Sequence, residues 1–452
     1  MMREIIAEKL GFPLQDFYRK TNILETLQFY KETQNWDEDK LRNLQETKLK
    51  TLVNFAYKNV PYYEDLFNKI KLRPSDISTL DDLYKIPILT KKIALKNNSK
   101  LFVRNHKRIK NLRLGKTGGT TGIPLLVLKD ANARSHTWAS YYRWFEWMGL
   151  NYWDKKATLW GASTVLSNSV KSSIMSNSID FLQNQITINS FSIDKSNYLK
   201  TFNHIKEFNP LILKGYLSSL IDLAEFIVRN DLKGISPIAI SSTSETLLSH
   251  NREYLEQVFG APVYDQYGCG EVSGIAYECS AHNGLHITEE HCIVETSENK
   301  NDLSGRSGNL VVTNLDNFAM PFLRYENGDV VALSDDKCSC GLKHKKISRI
   351  EGRTADTITL KNGTKVHGVF FTDIFYELNI LSDKVQRFQV YQEKVGEIEL
   401  RIEGETSLEP EKKKLLIDSL NRFFDSIIYI EQTLIQTETN GKFKYIISNI
   451  LK

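Results

Sequence analysis

Through the first 110 residues, apolar side chains recur every three or four positions. In "EDKLRNLQETKLKTLVNFAYKNV" the residues Leu41, Leu44, Leu49, Leu52, Val53 and Ala56 fall on one helical face, and Pro61 marks where that helix must end. A second amphipathic segment, "ANARSHTWASYYRWFEWMGL", is dense in aromatic rings. Between 155 and 315 the period changes. Short β-type runs ("KATLWGAS", "PLILKGY", "PIAISS", "APVYDQYG", "GNLVVTNL") alternate with helical stretches, which predicts an α/β core.

The pattern changes again after Arg353. "TITLKNGTKVHG" reads as a hairpin turning at Asn362-Gly363, followed by a helix over 369–378. The strands "VQRFQVYQE" and "EIELRIEG", a helix "PEKKKLLIDSLNRFFDSI" and a final strand complete an α+β unit. The boundary is placed near 353–356, giving an N-terminal domain 1–353, with 1–110 a largely helical lead-in, and a C-terminal domain 354–452.

Composition narrows the classes. With 452 residues and 41% hydrophobic content the chain can bury large cores. A net charge of +4 is small beside 59 basic and 55 acidic residues, so nothing argues for nucleic acid. The charged N-terminus "MMREIIAEKLGFPLQ" lacks a signal-peptide core, and no window approaches a membrane span. Five cysteines, an odd number, do not make a disulfide framework, and a reduced cytoplasmic location is expected.

Candidate chemistry begins at "KTGGTTGIP", residues 116–124. Glycines give up backbone order, and their usual return is close approach of backbone N–H groups to an anion, with threonine hydroxyls as further donors. A Walker A loop is excluded, because Lys110 stands where its first glycine belongs. The context differs too: "NLRLG" and "PLLVLKD" on either side both read as strands, whereas a Walker A loop opens a helix.

Four later segments have bland readings one by one: "YDQYGCGE" (264–271), "RYENGD" (324–329), "EGRTAD" (351–356) and "TETNGKFKYI" (437–446). In this order and spacing, together with the glycine loop, they resemble the adenylate-forming (ANL) superfamily over nearly the whole chain. Within it, "CGEVSGIAYECSAHNGLHITEEH", "CSCGLKHKKISRIEGRTAD" and "LILKGYLSSL" are similar to phenylacetate–coenzyme A ligases and their CapK-like relatives. The resemblance implies a large N-terminal α/β domain and a small mobile C-terminal α+β domain carrying a catalytic lysine.

It also implies roles. Thr117, Gly118, Gly119, Thr120, Thr121 and Gly122 would wrap the β- and γ-phosphates of ATP, with Thr120 near Mg²⁺. Ser244, Glu245, Tyr267 and Gly268 would line the adenine pocket, and Glu271 would hold Mg²⁺. Asp329 would take the ribose hydroxyls, Arg353 would support ribose or phosphate, and Lys442 would bridge the substrate carboxylate and the α-phosphate. Two departures stand out: Gly270 replaces the family's hydroxyl before the glutamate, and Ala355 occupies the usual pivot carboxylate position, with Asp356 next. The acid pocket would be built near Trp138, Trp160-Gly161, Lys214-Gly215-Tyr216 and the tyrosine-glycine motif, its aromatic walls fitting an aryl or small apolar acid. Lys214 is open to pairing with a second carboxylate or to capping a helix; no anionic residue clearly marks an amino-acid ammonium site, with Asp265 and Glu278 left open for one.

Cys279-x-x-His282 and Cys338-x-Cys340 have spacings that suit a structural zinc, with His286, Cys292 and His344 as alternative ligands; Cys269 is expected to line the pocket instead. The expected function is ATP-dependent activation of a carboxylic acid as acyl-AMP, then transfer to coenzyme A. A CapK-like variant would pass the acyl or aminoacyl group to a sugar or amine in polysaccharide synthesis, and a scaffold of the same fold would only bind nucleotide. Relatives of this kind suggest a homodimer.

Overall fold

The computed structural model describes residues 2–116, 125–160, 178–189, 197–298, 307–353, 357–363, 365–378, 380, 387–404, 407–432, 434–435 and 443–450. The lead-in is helical: α1 (Met2–Ile6), a π-helical turn, α2 (Phe12–Arg19), α3 (Ile23–Thr33), α4 (Glu38–Asn59) and α5 (Pro61–Ile70). In α4 the Asp37 carboxylate caps the Lys40 N–H, and the extended Val60 before Pro61 ends it. Its face of Leu41, Leu49, Leu52, Val53 and Ala56 is buried, with Leu44 half-buried at the margin. A two-residue strand β1 (Leu89–Thr90) and α6 (Lys91–Lys96) follow.

The strands expected around the glycine loop are present as β2 (Arg113–Lys116) and β3 (Leu126–Lys129), antiparallel with Lys116 opposite Leu126. Residues 117–124 between them lie outside the described residues. Next comes α7 (Ala131–Trp147). Its N-cap Asp130 accepts from the Ala133 N–H at 2.8 Å through one oxygen and from Phe318 and Ala319 N–H at 2.9 and 3.1 Å through the other. One carboxylate thus fixes the start of α7 against a distant loop.

A five-stranded parallel sheet follows: β4 (Lys156–Trp160), β5 (Gln185–Asn189), β6 (Ile212–Tyr216), β7 (Ala239–Thr243) and β8 (Val263–Tyr264), in the order β5-β4-β6-β7-β8. Alternation decides its two faces. Leu159, Leu213, Ile240 and Val263 pack with the helices Tyr198–Phe208, Leu217–Arg229 and Ser249–Phe259, while Ile212, Ala239 and Tyr264 pack with α7 and the lead-in.

Beyond β8 the α/β alternation expected to 315 gives way to β structure. β9 (Gln266–Tyr267), β10 (Ala276–Glu278), β11 (Leu285–Ile287), β12 (Cys292–Glu298), β13 (Ser307–Asn314), β14 (Tyr325–Ser334) and β15 (Lys346–Arg353) form one sheet, joined by β1 alongside β14. Its core takes in the buried face of α4 and Tyr63 and Phe67 of α5. A buried ion pair ties the layers: Glu290 accepts from Arg143 of α7 at 2.6 Å and from the Thr33 hydroxyl of α3 at 2.7 Å.

Residues 358–446 build a core of their own. The hairpin β16 (Thr357–Thr359) and β17 (Lys365–His367) and the helix Gly368–Glu377 appear as expected. The second helix is shorter than its sequence suggested, Pro410–Leu420, and "SIIYIEQ" is a strand. The sheet accordingly holds β18 (Arg387–Gln392), β19 (Glu397–Glu403), β20 (Ser426–Gln432) and β21 (Ile446–Ser448), in the order β20-β19-β18-β21.

Candidate active site and metal centre

In a parallel sheet the carboxyl ends of the strands open onto a crevice where ligands bind. Trp160 ends β4, Tyr216 ends β6, Ser244 and Glu245 follow β7, and Gln266-Tyr267 follow β8, so four sequence-predicted segments arrive at the same edge. The rings of Trp160 and Tyr216 are 4.7 Å apart. Ser244 has φ +72°, a strained value for a residue with a side chain. Glu245 accepts from the Ser218 N–H and hydroxyl, both at 2.9 Å, and so caps the helix Leu217–Arg229 while facing the crevice edge. At Gly215 a Cβ would meet Leu159 at 3.0 Å, so a side chain there would require Leu159 to shift.

The two motifs from opposite ends of the large domain meet here. The Tyr267 hydroxyl donates to Asp329 Oδ2 at 2.5 Å, and Asn327 Nδ2 donates to both, at 2.8 and 2.9 Å. Burial first, and then the Asp329 charge, push the Tyr267 phenol well above its usual value, so it stays a proton donor. Asp329 stands opposite Arg353 in the β14–β15 ladder. Glu271 is buried and accepts from the Tyr325 hydroxyl at 2.7 Å, with Lys91 Nζ at 3.9 Å. Cys269 lies in the turn between Tyr267 and Glu271, its thiol pushed up to about 12 mainly by burial. Asn327, Tyr325 and Lys91 were not singled out from sequence. Asn327 stands inside "RYENGD", where an amide two residues before the aspartate was the available signal, whereas nothing local marks Lys91.

Trp138 lines a cavity with Arg19, Arg113 and Arg134, and its ring is 5.8 Å from that of Tyr141. Among the described residues Lys214 caps no helix: its Nζ sits 4.3 Å from the Tyr141 ring centroid, half-buried, and burial lowers it to about 8. Glu278 is taken by Arg252, which donates at 2.8 and 3.0 Å, and Asp265 beside it is pushed up to about 8 by burial first and by Glu278 next, so this pair makes a poor ammonium site. Residues 117–122, Gly161, Ala355, Asp356 and Lys442 lie outside the described residues. The chain re-enters at Phe443, and Asn251 Nδ2 donates to the Tyr445 hydroxyl at 3.2 Å, against the helix that follows Glu245.

The two cysteine segments converge in space, without His282. Cys279, Cys338, Cys340 and His286 bring their ligand atoms within 4.8 Å of one another. His282 is excluded: its left-handed φ of +49° ends a turn that sends the ring toward Tyr264, and Nδ1 lies 3.3 Å from Glu278. His286 is instead delivered by β11, which crosses behind the turn. Cys279 and Cys338 sulfurs are 3.6 Å apart, and Cys340 Sγ is 3.4 Å from His286 Nε2. A tetrahedral zinc with bonds of ~2.3 Å to sulfur and ~2.0 Å to nitrogen needs ligand edges of roughly 3.5–3.8 Å. The orientation fits as well. His286 Nδ1 lies 3.3 Å from the His344 carbonyl, which can only accept, so Nε2 turns its lone pair to the thiols. Cys292 and His344 are not part of this cluster. A second group, His136, His291 and Asp316, is spent internally, since Lys48 Nζ already lies 2.8 Å from Asp316.

Comparison places this architecture. The structure is similar to that of 2-hydroxyisobutyryl-CoA ligase in the postadenylation state with 2-HIB-AMP, at TM-score 0.75 and 16% identity, covering 92% of this chain and 91% of that one. The fold is therefore that of the adenylate-forming CoA ligases. At the sequence level residues 358–449 match the family model of the CapK C-terminal domain. The chain is 26% identical over 412 residues to the phenylacetate-coenzyme A ligase of Thermus thermophilus, covering 83% of this chain and 84% of that one. It is 27% identical over 336 residues to the protein CapK of Staphylococcus aureus, covering 73% and 72%. Its relatives are thus phenylacetate–CoA ligases and CapK, as the motifs implied. No described helix is long and apolar enough to cross a membrane.

Proposed function

We propose that the protein activates a carboxylic acid with ATP, forming an acyl-adenylate and releasing pyrophosphate, and then transfers the acyl group to coenzyme A. The observation that carries this reading is the joining of Tyr267, Asn327 and Asp329 at the carboxyl edge of the parallel sheet, in a fold whose solved neighbours hold acyl-AMP. A carboxylate oxygen of the acid bonds to the α-phosphorus as the bond to the β-phosphate oxygen breaks, and pyrophosphate takes that electron pair. Such chemistry asks the protein mainly for positioning and charge. Asp329 would accept from the ribose hydroxyls and Tyr267, with Ser244 and Glu245, would flank the base. Residues 117–122 would hold the departing phosphates, with Arg353 and Lys442 supplying positive charge. Glu271 would hold Mg²⁺, which neutralises phosphate charge when bound. The thiol of coenzyme A then attacks the acyl carbon, and AMP leaves.

The Trp160–Tyr216 wall supports an aryl or small apolar acid. Zinc at Cys279, His286, Cys338 and Cys340 would be structural, since three thiolates and an imidazole close its tetrahedron. A second reading, transfer to a sugar or amine, draws on the CapK C-terminal domain match. Pyrophosphate release from ATP with a panel of acids, with and without coenzyme A, tests both. Release followed by thioester formation supports the first reading, and release without thioester the second; no release with any acid leaves only a nucleotide-binding scaffold. Lys442→Ala is expected to lose acyl-adenylate formation while keeping ATP binding.

A further inference from the structure

A cavity of about 200 Å³ is lined by Arg19, Thr21, Ile23, Arg113, Arg134 and Trp138. Its three guanidinium groups come from three elements: Arg19 ends α2, Arg113 opens β2 and Arg134 lies in the first turn of α7. Like charges do not gather without something to hold them, and here Arg134 does the gathering. It donates through Nη2 to the carbonyls of Arg19 at 3.3 Å and Asn111 at 3.0 Å, and through Nε to the Asp130 carbonyl at 3.3 Å. Those bonds draw the end of α2 and the turn before β2 to one place.

Asp16 attracts Arg19 and Asp130 attracts Arg134 only from beyond ion-pair distance. The two nearest carboxylates are spent on other donors. Asp16 takes the Thr21 hydroxyl and the N–H groups of Ile23 and Leu24, and Asp130 takes those of Ala133, Phe318 and Ala319. Among the described residues no carboxylate lies within ion-pair distance of any of the three guanidinium groups. Burial foremost, and then the Arg113 charge, hold Arg19 and Arg134 below their usual values, a cost that an anion would reverse. The segment that brings Arg113 is basic as well: residues 105–116 carry Lys107, Arg108, Lys110, Arg113 and Lys116 and no acidic residue.

We propose that Arg19, Arg113 and Arg134 form a phosphate-binding pocket that takes the phosphate or diphosphate end of an organic ligand. Planar guanidinium forks match phosphate oxygens two at a time. The cavity, about 200 Å³, equals roughly seven waters at ~30 Å³ each, enough for one or two phosphate groups but not for a whole nucleotide. The remainder of the ligand would then lie over Trp138, whose side chain is exposed at the rim. The inference does not depend on the reading of the nucleotide site.

The test is calorimetric titration of inorganic phosphate into the full-length protein, with the nucleotide site saturated by α,β-methylene-ATP so that phosphate positions there are filled. Phosphate is expected to bind the wild type, more weakly as salt is raised, and ~10-fold or more weakly in Arg19→Gln and in Arg113→Gln. The affinity for α,β-methylene-ATP should be unchanged in both, and matched melting temperatures would confirm that the variants fold. Arg134 is left intact, because it holds three carbonyls. Parallel titrations with adenosine 3′,5′-bisphosphate and uridine diphosphate show which kind of molecule brings the phosphate, through tighter binding that the same substitutions weaken. Absence of phosphate binding to the wild type, or equal binding in both variants, overturns the proposal. If α,β-methylene-ATP fails to bind, the nucleotide-site reading fails, while the variant comparison still decides the pocket.

Discussion

Replacing Asp329 by Asn is the sharpest probe of the crevice. The substitution keeps the shape of the side chain and removes its charge. Tyr267 Oη and Asn327 Nδ2 already donate to Oδ2 at 2.5 and 2.9 Å, so the carboxylate is held in place before any nucleotide arrives. Preorganisation of this kind means that little binding energy is lost to ordering the side chain. If the two ribose hydroxyls each donate to the carboxylate, two charge-assisted bonds of ~1.5–3 kcal/mol are at stake. Their loss amounts to ~3–6 kcal/mol, or about 10²- to 10⁴-fold in affinity. With its oxygen kept on Tyr267 and Asn327, the amide turns its NH₂ to the ribose, where it cannot accept. The assay compares AMP with 2′,3′-dideoxy-AMP by calorimetry, which requires no knowledge of the acid. Wild type should favour AMP by that factor and Asp329→Asn should favour neither, with melting curves reporting the cost of the lost Tyr267 contact. If the variant keeps the wild-type preference for AMP, Asp329 is not the ribose ligand and the crevice has been assigned to the wrong ligand.

Metal analysis of purified protein should give about one equivalent of zinc, retained in His282→Ala and lost in His286→Ala or Cys340→Ser; zinc lost equally from the two histidine variants would overturn the choice of His286. Asp265 predicts a slope in stability against pH. Its folded-state value is raised to about 8, so between its unfolded value of ~3.9 and about 8 the native state holds the extra proton, and stability falls as pH rises through that window. Urea midpoints from pH 5 to 9 should fall in the wild type and be flatter in Asp265→Asn; parallel curves would show that the carboxyl is not protonated in the fold.

Much of the scaffold was legible because local pattern and tertiary demand agree. Leu41 to Ala56 are helical in spacing and buried in fact, and "PLILKGY" and "PIAISS" alternate toward the two covered faces of a parallel sheet. The run from 276 to 353 was harder to read as sheet throughout. Most of its strands pair with their neighbours in sequence, but the one sheet is completed only by distant pairs, β11 with β15 and β1 with β14 across more than half of the chain. Likewise "SIIYIEQ" continues an apolar helical pattern and becomes a strand because β19 offers it an open edge.

The sequence by itself determined which chemistry is carried: a hydroxyl-rich glycine loop, a tyrosine and an aspartate in turn motifs, two cysteine pairs and a lysine near the end. Residue type and local spacing suffice for that, since they set charge, hydrogen-bonding capacity and backbone freedom. Only the tertiary structure decided which of these meet. Tyr267 and Asp329 are joined by sheet register, His286 displaces His282 because a turn reverses one ring and a strand delivers the other, and three arginines share a cavity because one of them binds the carbonyls of three elements. Spacing along a chain governs direction for a few residues; beyond that, position is set by what each element packs against.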